Sequence, residues 1–224
     1  CDALSFITDY SMLRQKLCDA ATDALRLKRL EAQGYSVAAL ELIDPEETPK
    51  NVMLRAIRQK NFDAKGKRAK ELRDAYSALT EEVISSAPAD TLFEGTALCL
   101  EYICQKSEDT NNFYESMTQG EKDVYALYYL VSDASEGNLS SFFKSSYRPL
   151  TSDAVSAAEK ILDSETYKVI KMMFDRYDEN NEEMSVIPHE IDRLNGEFRD
   201  LTAGKNLFAV GGEYIKANPK EFIK

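Results

Sequence analysis

The sole histidine, His189, lies in "VIPHEID" beside Glu190 and Asp192, and an imidazole near carboxylates is common material for proton transfer or metal binding. Adjacent positions on a helix point in different directions, however, and these three do not converge on one atom. "DRYDENNEE", residues 175–183, is rich in oxygen ligands but lacks the glycine and the ligand spacing of a calcium loop. "AVGGEY", residues 209–214, is the nearest approach to a glycine-rich phosphate loop. No core strand precedes it, so it reads as a helix irregularity or a short loop. Ser132, Ser135 and Cys104 have no companion base at a defensible separation. Cys1, Cys18, Cys99 and Cys104 show neither zinc-site nor CxxC spacing, and reduced thiols of a cytoplasmic protein are the simple account. The sequence therefore nominates no catalytic, cofactor-binding or metal-binding residue, and no cofactor.

Charge is the more informative property. The chain has 28 basic and 39 acidic residues, a net charge of -11. Residues 1–60 hold nine of each sign, whereas residues 61–224 hold 19 basic and 30 acidic, so the whole excess lies in the longer segment. Such a field repels nucleic acid and attracts a basic protein surface. No apolar run reaches membrane-spanning length, so no membrane contact is expected. A first residue of Cys rather than Met suggests a piece of a longer protein.

These charges must be positioned by a mostly helical chain. Leu13, Leu17, Ala20, Ala24 and Leu27 predict a helix over 9–33, stopped by Gly34. "YSVAALELI" and "NVMLRAIR", residues 35–43 and 51–58, predict an antiparallel strand pair. A charged helix follows over 66–85, with a thin apolar line of Leu72, Tyr76 and Leu79, and "SSAPAD", residues 85–90, is the best boundary. Further helices are predicted over 91–106, 119–133, 136–145, 152–162, 164–177, 187–200 and 204–217. Thr118 and Glu121 have capping-box spacing just ahead of an apolar stripe of Val124, Leu127, Tyr128 and Val131, and Pro188 suits a first helical turn.

Residues 13–61 resemble the last helix and hairpin of a class I S-adenosylmethionine-dependent methyltransferase. The matching features are Thr22 to Arg26, Gly34 and Tyr35, Asp44, and Thr48 to Asn51, with Glu47 where that group has histidine. The resemblance implies that the main sheet and the cofactor loop lie upstream, so this chain alone is not expected to methylate. Lys50, Asn51 and Arg55 are its polar residues, read mainly as turn and strand architecture. The apolar residues of 51–58 lie along an unpaired edge, which is expected to pack on the helical region or to form a homodimer.

A second resemblance runs from about Phe113 to the C-terminus, to the helical domain of the DNA-mimic protein family. It is carried by Tyr125 to Leu130, by Glu136, Gly137, Asn138 and Leu139, by Phe142 and Phe143, by Ala154 to Ile161, and by "GEYIKANPKEFIK". The usual double glycine is replaced by "SEGNLSSFF", and the aromatic after it by Leu139. Mimicry requires carboxylates held rigidly at spacings comparable with phosphates. On this reading the protein-binding candidates are Glu101, Glu108, Asp109, Glu115, Glu121, Asp123, Asp133 and Glu136 in one region. The other holds Asp175, Asp178, Glu179, Glu182, Glu183, Glu190, Asp192, Glu197 and Asp200.

The expected architecture is mainly α, a multi-helix domain preceded by an α-β-β element. Its segments are 1–61 (methyltransferase-like helix and hairpin), 62–90 (connecting helix and linker) and 91–224 (DNA-mimic-like helical domain). The expected function is a non-catalytic acidic protein-binding module contacting a basic DNA-binding protein, without direct nucleic-acid binding. The alternative is an accessory or substrate-recognition part of a methyltransferase whose cofactor-binding half lies upstream.

Overall fold

The computed structural model describes residues 10–41, 52–134, 138–178 and 188–223. It divides into two compact units, residues 1–86 and 87–224. The division separates the charge: residues 1–86 carry 14 basic and 14 acidic residues, whereas residues 87–224 carry 14 and 25. The whole net charge therefore belongs to the second unit.

In the first unit, helix α1 (Ser11–Ala32) leads through Gly34 into β1 (Tyr35–Glu41), which pairs antiparallel with β2 (Val52–Arg58). Gly34 has φ 90°, and a Cβ there would lie 2.3 Å from the Phe62 ring, so both backbone and space demand glycine. The register places Leu40 opposite Met53 and Ser36 opposite Ile57. Leu40, Met53 and Ile57 thus share one face and are exposed, while Val37 and Leu54 on the other face are half-buried. Helix α2 (Lys67–Ser86) packs on α1, burying Ala69 and Ile84. The apolar line expected on α1 is narrower than its spacing suggests, because Ala20 and Ala24 are exposed and Leu17, Leu27 and Leu30 are half-buried.

The second unit contains α3 (Ala89–Lys106), α4 (Thr110–Ser116), α5 (Gln119–Asp133), α6 (Thr151–Ile161), α7 (Ser164–Asp178), α8 (Pro188–Thr202) and α9 (Leu207–Ala217). Helix α5 is its centre. Every residue from Asp123 to Val131 is buried, and α3, α6 and α9 pack around it. A helix buried on all sides belongs inside a core. Its start carries the expected capping box: Glu121 N donates to Thr118 Oγ1 at 3.1 Å and Thr118 N donates to Glu121 Oε2 at 2.8 Å.

Two local expectations are corrected. The helix read over 136–145 is instead a 3₁₀ turn at Leu139–Lys144, among the described residues. Three residues per turn bring Leu139 and Phe142 onto one side, and both are fully buried with Phe143. Phe143 stacks on Tyr177, and Asn195 accepts from Ser140 N at 3.0 Å, fixing this turn to α7 and α8. The second correction concerns Gly211 and Gly212: the helix expected over 204–217 is present as α9, and it runs through both glycines without a loop or irregularity. A Cβ at Gly211 would meet the Phe93 ring at 2.4 Å, and one at Gly212 would meet Ala89 O at 1.8 Å. The pair lets α9 lie directly against α3.

Candidate functional site

The candidate acids divide by environment more sharply than the sequence suggests. Asp123 is buried in α5 and accepts from Lys160 at 2.9 and 3.1 Å, Tyr214 Oη at 3.0 Å and Gln119 at 2.8 Å. Three elements thus neutralise and saturate one carboxylate, as a buried charge requires. Glu121 is also buried and completes the capping box. These two residues hold the fold together and face no solvent. Asp133, at the end of α5, is half-buried.

Around the α3–α4 junction the acids are displayed. Glu108, Asp109 and Glu115 are exposed. Asp109 also starts α4, accepting from Asn112 N at 3.0 Å, and Glu115 accepts from Lys122 at 2.9 Å. This short helix has no expectation behind it in the sequence, although an Asp at its N-cap was a readable signal. Glu101 sits behind these residues, half-buried, accepting from Tyr125 Oη and, at 2.7 Å, from Gln105. Burial pushes its carboxyl up, but hydrogen bonds from Tyr125, Gln105 and Tyr129 outweigh that effect and hold it below its ordinary value. Asp153, absent from the sequence candidates, accepts from Tyr114 Oη at 2.6 Å.

The phenols that serve these carboxylates form a continuous group. Tyr114 and Tyr125 have ring centroids 6.1 Å apart, Tyr125 and Tyr129 lie 5.1 Å apart, and Tyr129 stacks on Tyr147 at 3.6 Å. Burial first, then hydrogen bonds to Asp153, Glu101 and Tyr147 respectively, push the Tyr114, Tyr125 and Tyr129 hydroxyls above their ordinary range. The proton therefore stays on the phenol and the charge on the carboxylate.

The second acidic region is braided with cations. Asp175 accepts from Lys171, Glu190 pairs with Arg176 at 3.2 Å, and Glu197 with Arg193 at 3.0 Å. Asp192 and Asp200 are exposed on α8. Glu136, Glu179, Glu182, Glu183 and the side chain of Asp178 lie outside the described residues, as do Lys50 and Asn51. Arg55 is exposed on β2, and His189 is exposed at the start of α8. Among the described residues, no group of three or more His, Cys, Asp or Glu side chains is arranged to hold a metal ion, and no helix is long and apolar enough to cross a membrane.

Comparison with known proteins gives one finding. Residues 115–218 match the model of a family described as DMP19-like protein. The match falls on the helical region that resembles the DNA-mimic family, and no comparison supports a methyltransferase-like segment over residues 13–61. No curated protein and no solved structure matches the chain. The family match together with the helical architecture fits a protein-binding module.

Proposed function

We propose that residues 87–224 form an acidic module that binds a basic DNA-binding protein, its carboxylates occupying positions that nucleic-acid phosphates would take. The observation that carries this reading is the confinement of the entire net charge to the unit in which Glu101 and Asp153 are held by tyrosine hydroxyls. Carboxylates fixed in this way present a defined potential rather than a mobile cloud. The contacting residues on this proposal are Glu101, Glu108, Asp109 and Glu115 at the α3–α4 junction, with Asp192 and Asp200 on α8. The family match over 115–218 supports the partner class.

The test titrates the chain against basic DNA-binding regulators held on labelled duplex, at several ionic strengths. The chain is expected to release duplex from a regulator in a salt-sensitive manner and to bind no duplex itself. Glu108→Lys with Asp109→Lys and Glu115→Lys should weaken release at least about tenfold, since each reversal juxtaposes like charges. All three side chains are exposed, and since Asp109 also caps α4, Glu108→Lys with Glu115→Lys, which keeps that cap, should weaken release in the same direction. Duplex binding by the chain itself, or release indifferent to the triple reversal, would refute the proposal.

A further inference from the structure

Against the acidic character of its unit, the cleft between the end of α8 and the start of α9 carries the opposite charge. Its floor is apolar, made by Val131, Phe198, Leu207 and Phe208, and Arg199 and Lys205 stand at its rim. No aspartate or glutamate lines it. Its volume of about 680 Å³ falls in the range of small-ligand pockets.

We propose that this cleft binds a small amphipathic anion: a planar or branched apolar body bearing one carboxylate or phosphate-type head. This inference is independent of the protein-binding reading. Arg199 is exposed and has no ion-pair partner among the described residues, leaving its planar fork free for a bidentate oxyanion. Lys205 is held by Asp163 at 2.8 Å, which fixes its position at the rim while offsetting part of its charge. The start of α9 adds a third element. Asn206 accepts from Ala209 N at 3.1 Å, whereas the amides of Leu207 and Phe208 precede any intrahelical acceptor and carry the positive end of the helix dipole. Gly204 has φ 76° and nothing within 4 Å of its Cβ position, so the turn between the helices leaves the mouth open. The anionic head would lie between Arg199 and the α9 amides, and the apolar body over Phe198 and Val131.

The probes are 2-naphthoate, 2-naphthyl phosphate and the neutral 2-naphthalenemethanol, followed by amide shifts of the full ¹⁵N-labelled chain. Saturable shifts are expected at residues 198–208 and at Val131 and Ala134 with at least one anion. The stronger of the two identifies the head group. The alcohol should bind at least about tenfold more weakly, as should either anion to Arg199→Glu, because a charge-assisted bidentate contact is lost. Arg199→Lys should retain part of the affinity. Lys144→Glu, which changes net charge equally from an exposed position outside the cleft, should leave it unchanged. Absence of saturation with both anions, shifts centred elsewhere, equal binding of the alcohol, or equal weakening by Lys144→Glu would each overturn the proposal.

Discussion

Replacing Gly212 by alanine should destabilise the second unit, even though alanine is the better helix former. A Cβ at this position would stand 1.8 Å from Ala89 O and 2.3 Å from Ala89 C. Ordinary contacts begin beyond 3 Å, so α9 must retreat from α3 by more than an ångström, and the obstacle is backbone that cannot rotate away. Retreat also loosens Phe93, which is fully buried and edge-on to Phe208 at 5.8 Å and to Tyr128 at 6.0 Å. Overpacking of this kind costs about 1–3 kcal/mol and more where backbone is involved. Helix propensity returns about 1 kcal/mol, and because the obstacle here is backbone the cost lies at the upper end, leaving a net loss of up to about 2 kcal/mol. Gly95 supplies the control within α3: it is exposed, with nothing within 4 Å of its Cβ position. Gly95→Ala should therefore stabilise by up to about 1 kcal/mol. The second unit holds nine of the twelve tyrosines and the chain has no tryptophan, so near-ultraviolet circular dichroism through a urea titration follows mainly that unit. The reasoning fails if Gly212→Ala raises the midpoint as Gly95→Ala does.

Other perturbations test the polar interior. Lys160→Met leaves the Asp123 carboxylate, 1% exposed, with only Gln119 and Tyr214 as donors. The loss should be roughly 2 kcal/mol by urea denaturation, below the full cost of breaking a buried pair because Lys160 is partly solvated. The Asp163 carboxyl is held down to about 2 by Lys205 and the Thr166 amide, from an ordinary 3.8. Its folded value is the lower one, so its contribution is complete above about pH 4 and disappears as pH falls toward 2. The stability gap between wild type and Asp163→Asn should narrow across that window in pH-dependent thermal melts. At the alkaline end, burial and then the Asp123 charge push Tyr214 up to about 12, and Tyr114, Tyr125 and Tyr129 are raised further. A raised value means stability is intact below pH 10 and lost as pH climbs through 12. Absorbance at 295 nm should show these four phenols ionising only with unfolding, and early titration of all twelve would contradict the assignment.

Much of the fold was readable because its signals are local. The Thr118–Glu121 box, the four-three spacing within α5 and the Gly34 stop each act within one or two turns, and each element appears where those residues place it. What was not readable depends on distant partners. Sequence spacing marks Val124, Leu127, Tyr128 and Val131 as a stripe, but α5 is enclosed by α3 before it and by α6 and α9 after it in the chain. Asp123 and Glu121 therefore looked like members of an outward acidic face. The partners that draw Asp123 inward, Lys160 and Tyr214, lie 37 and 91 residues away. The double glycine of α9 was opaque for the same reason, since its purpose is Ala89 and Phe93 on another helix. Asp153 was missed because nothing near it in sequence marks it, and its donor Tyr114 is 39 residues upstream.

This separation of inner from outer acids changes what the net charge means. A charge of -11 measures attraction at a distance, where position hardly matters, but contact depends on which carboxylates are exposed and how firmly they are held. Asp123 is counted among the acids but offers nothing to contact, since its side chain is 1% exposed, and little to the distant field, since Lys160 already offsets its charge. Glu101 behaves differently. Its oxygens are oriented by phenols whose rings pack into the core through Tyr125 and Tyr129, yet the residue itself remains partly exposed. Those same hydrogen bonds keep it ionised and keep the phenols neutral, so position and charge state are fixed by one set of contacts. A long acidic side chain in solvent loses rotamer entropy when a partner immobilises it, at about 0.5–1.5 kcal/mol for each such residue. Glu101 is already ordered before any partner arrives. Tyr125→Phe should accordingly leave the net charge and the long-range attraction unchanged while weakening the bound state, so that association with a basic partner keeps its rate and dissociation quickens. Surface plasmon resonance separates the two, and a slower association with unchanged dissociation would show that the tyrosine does not hold the carboxylate for binding.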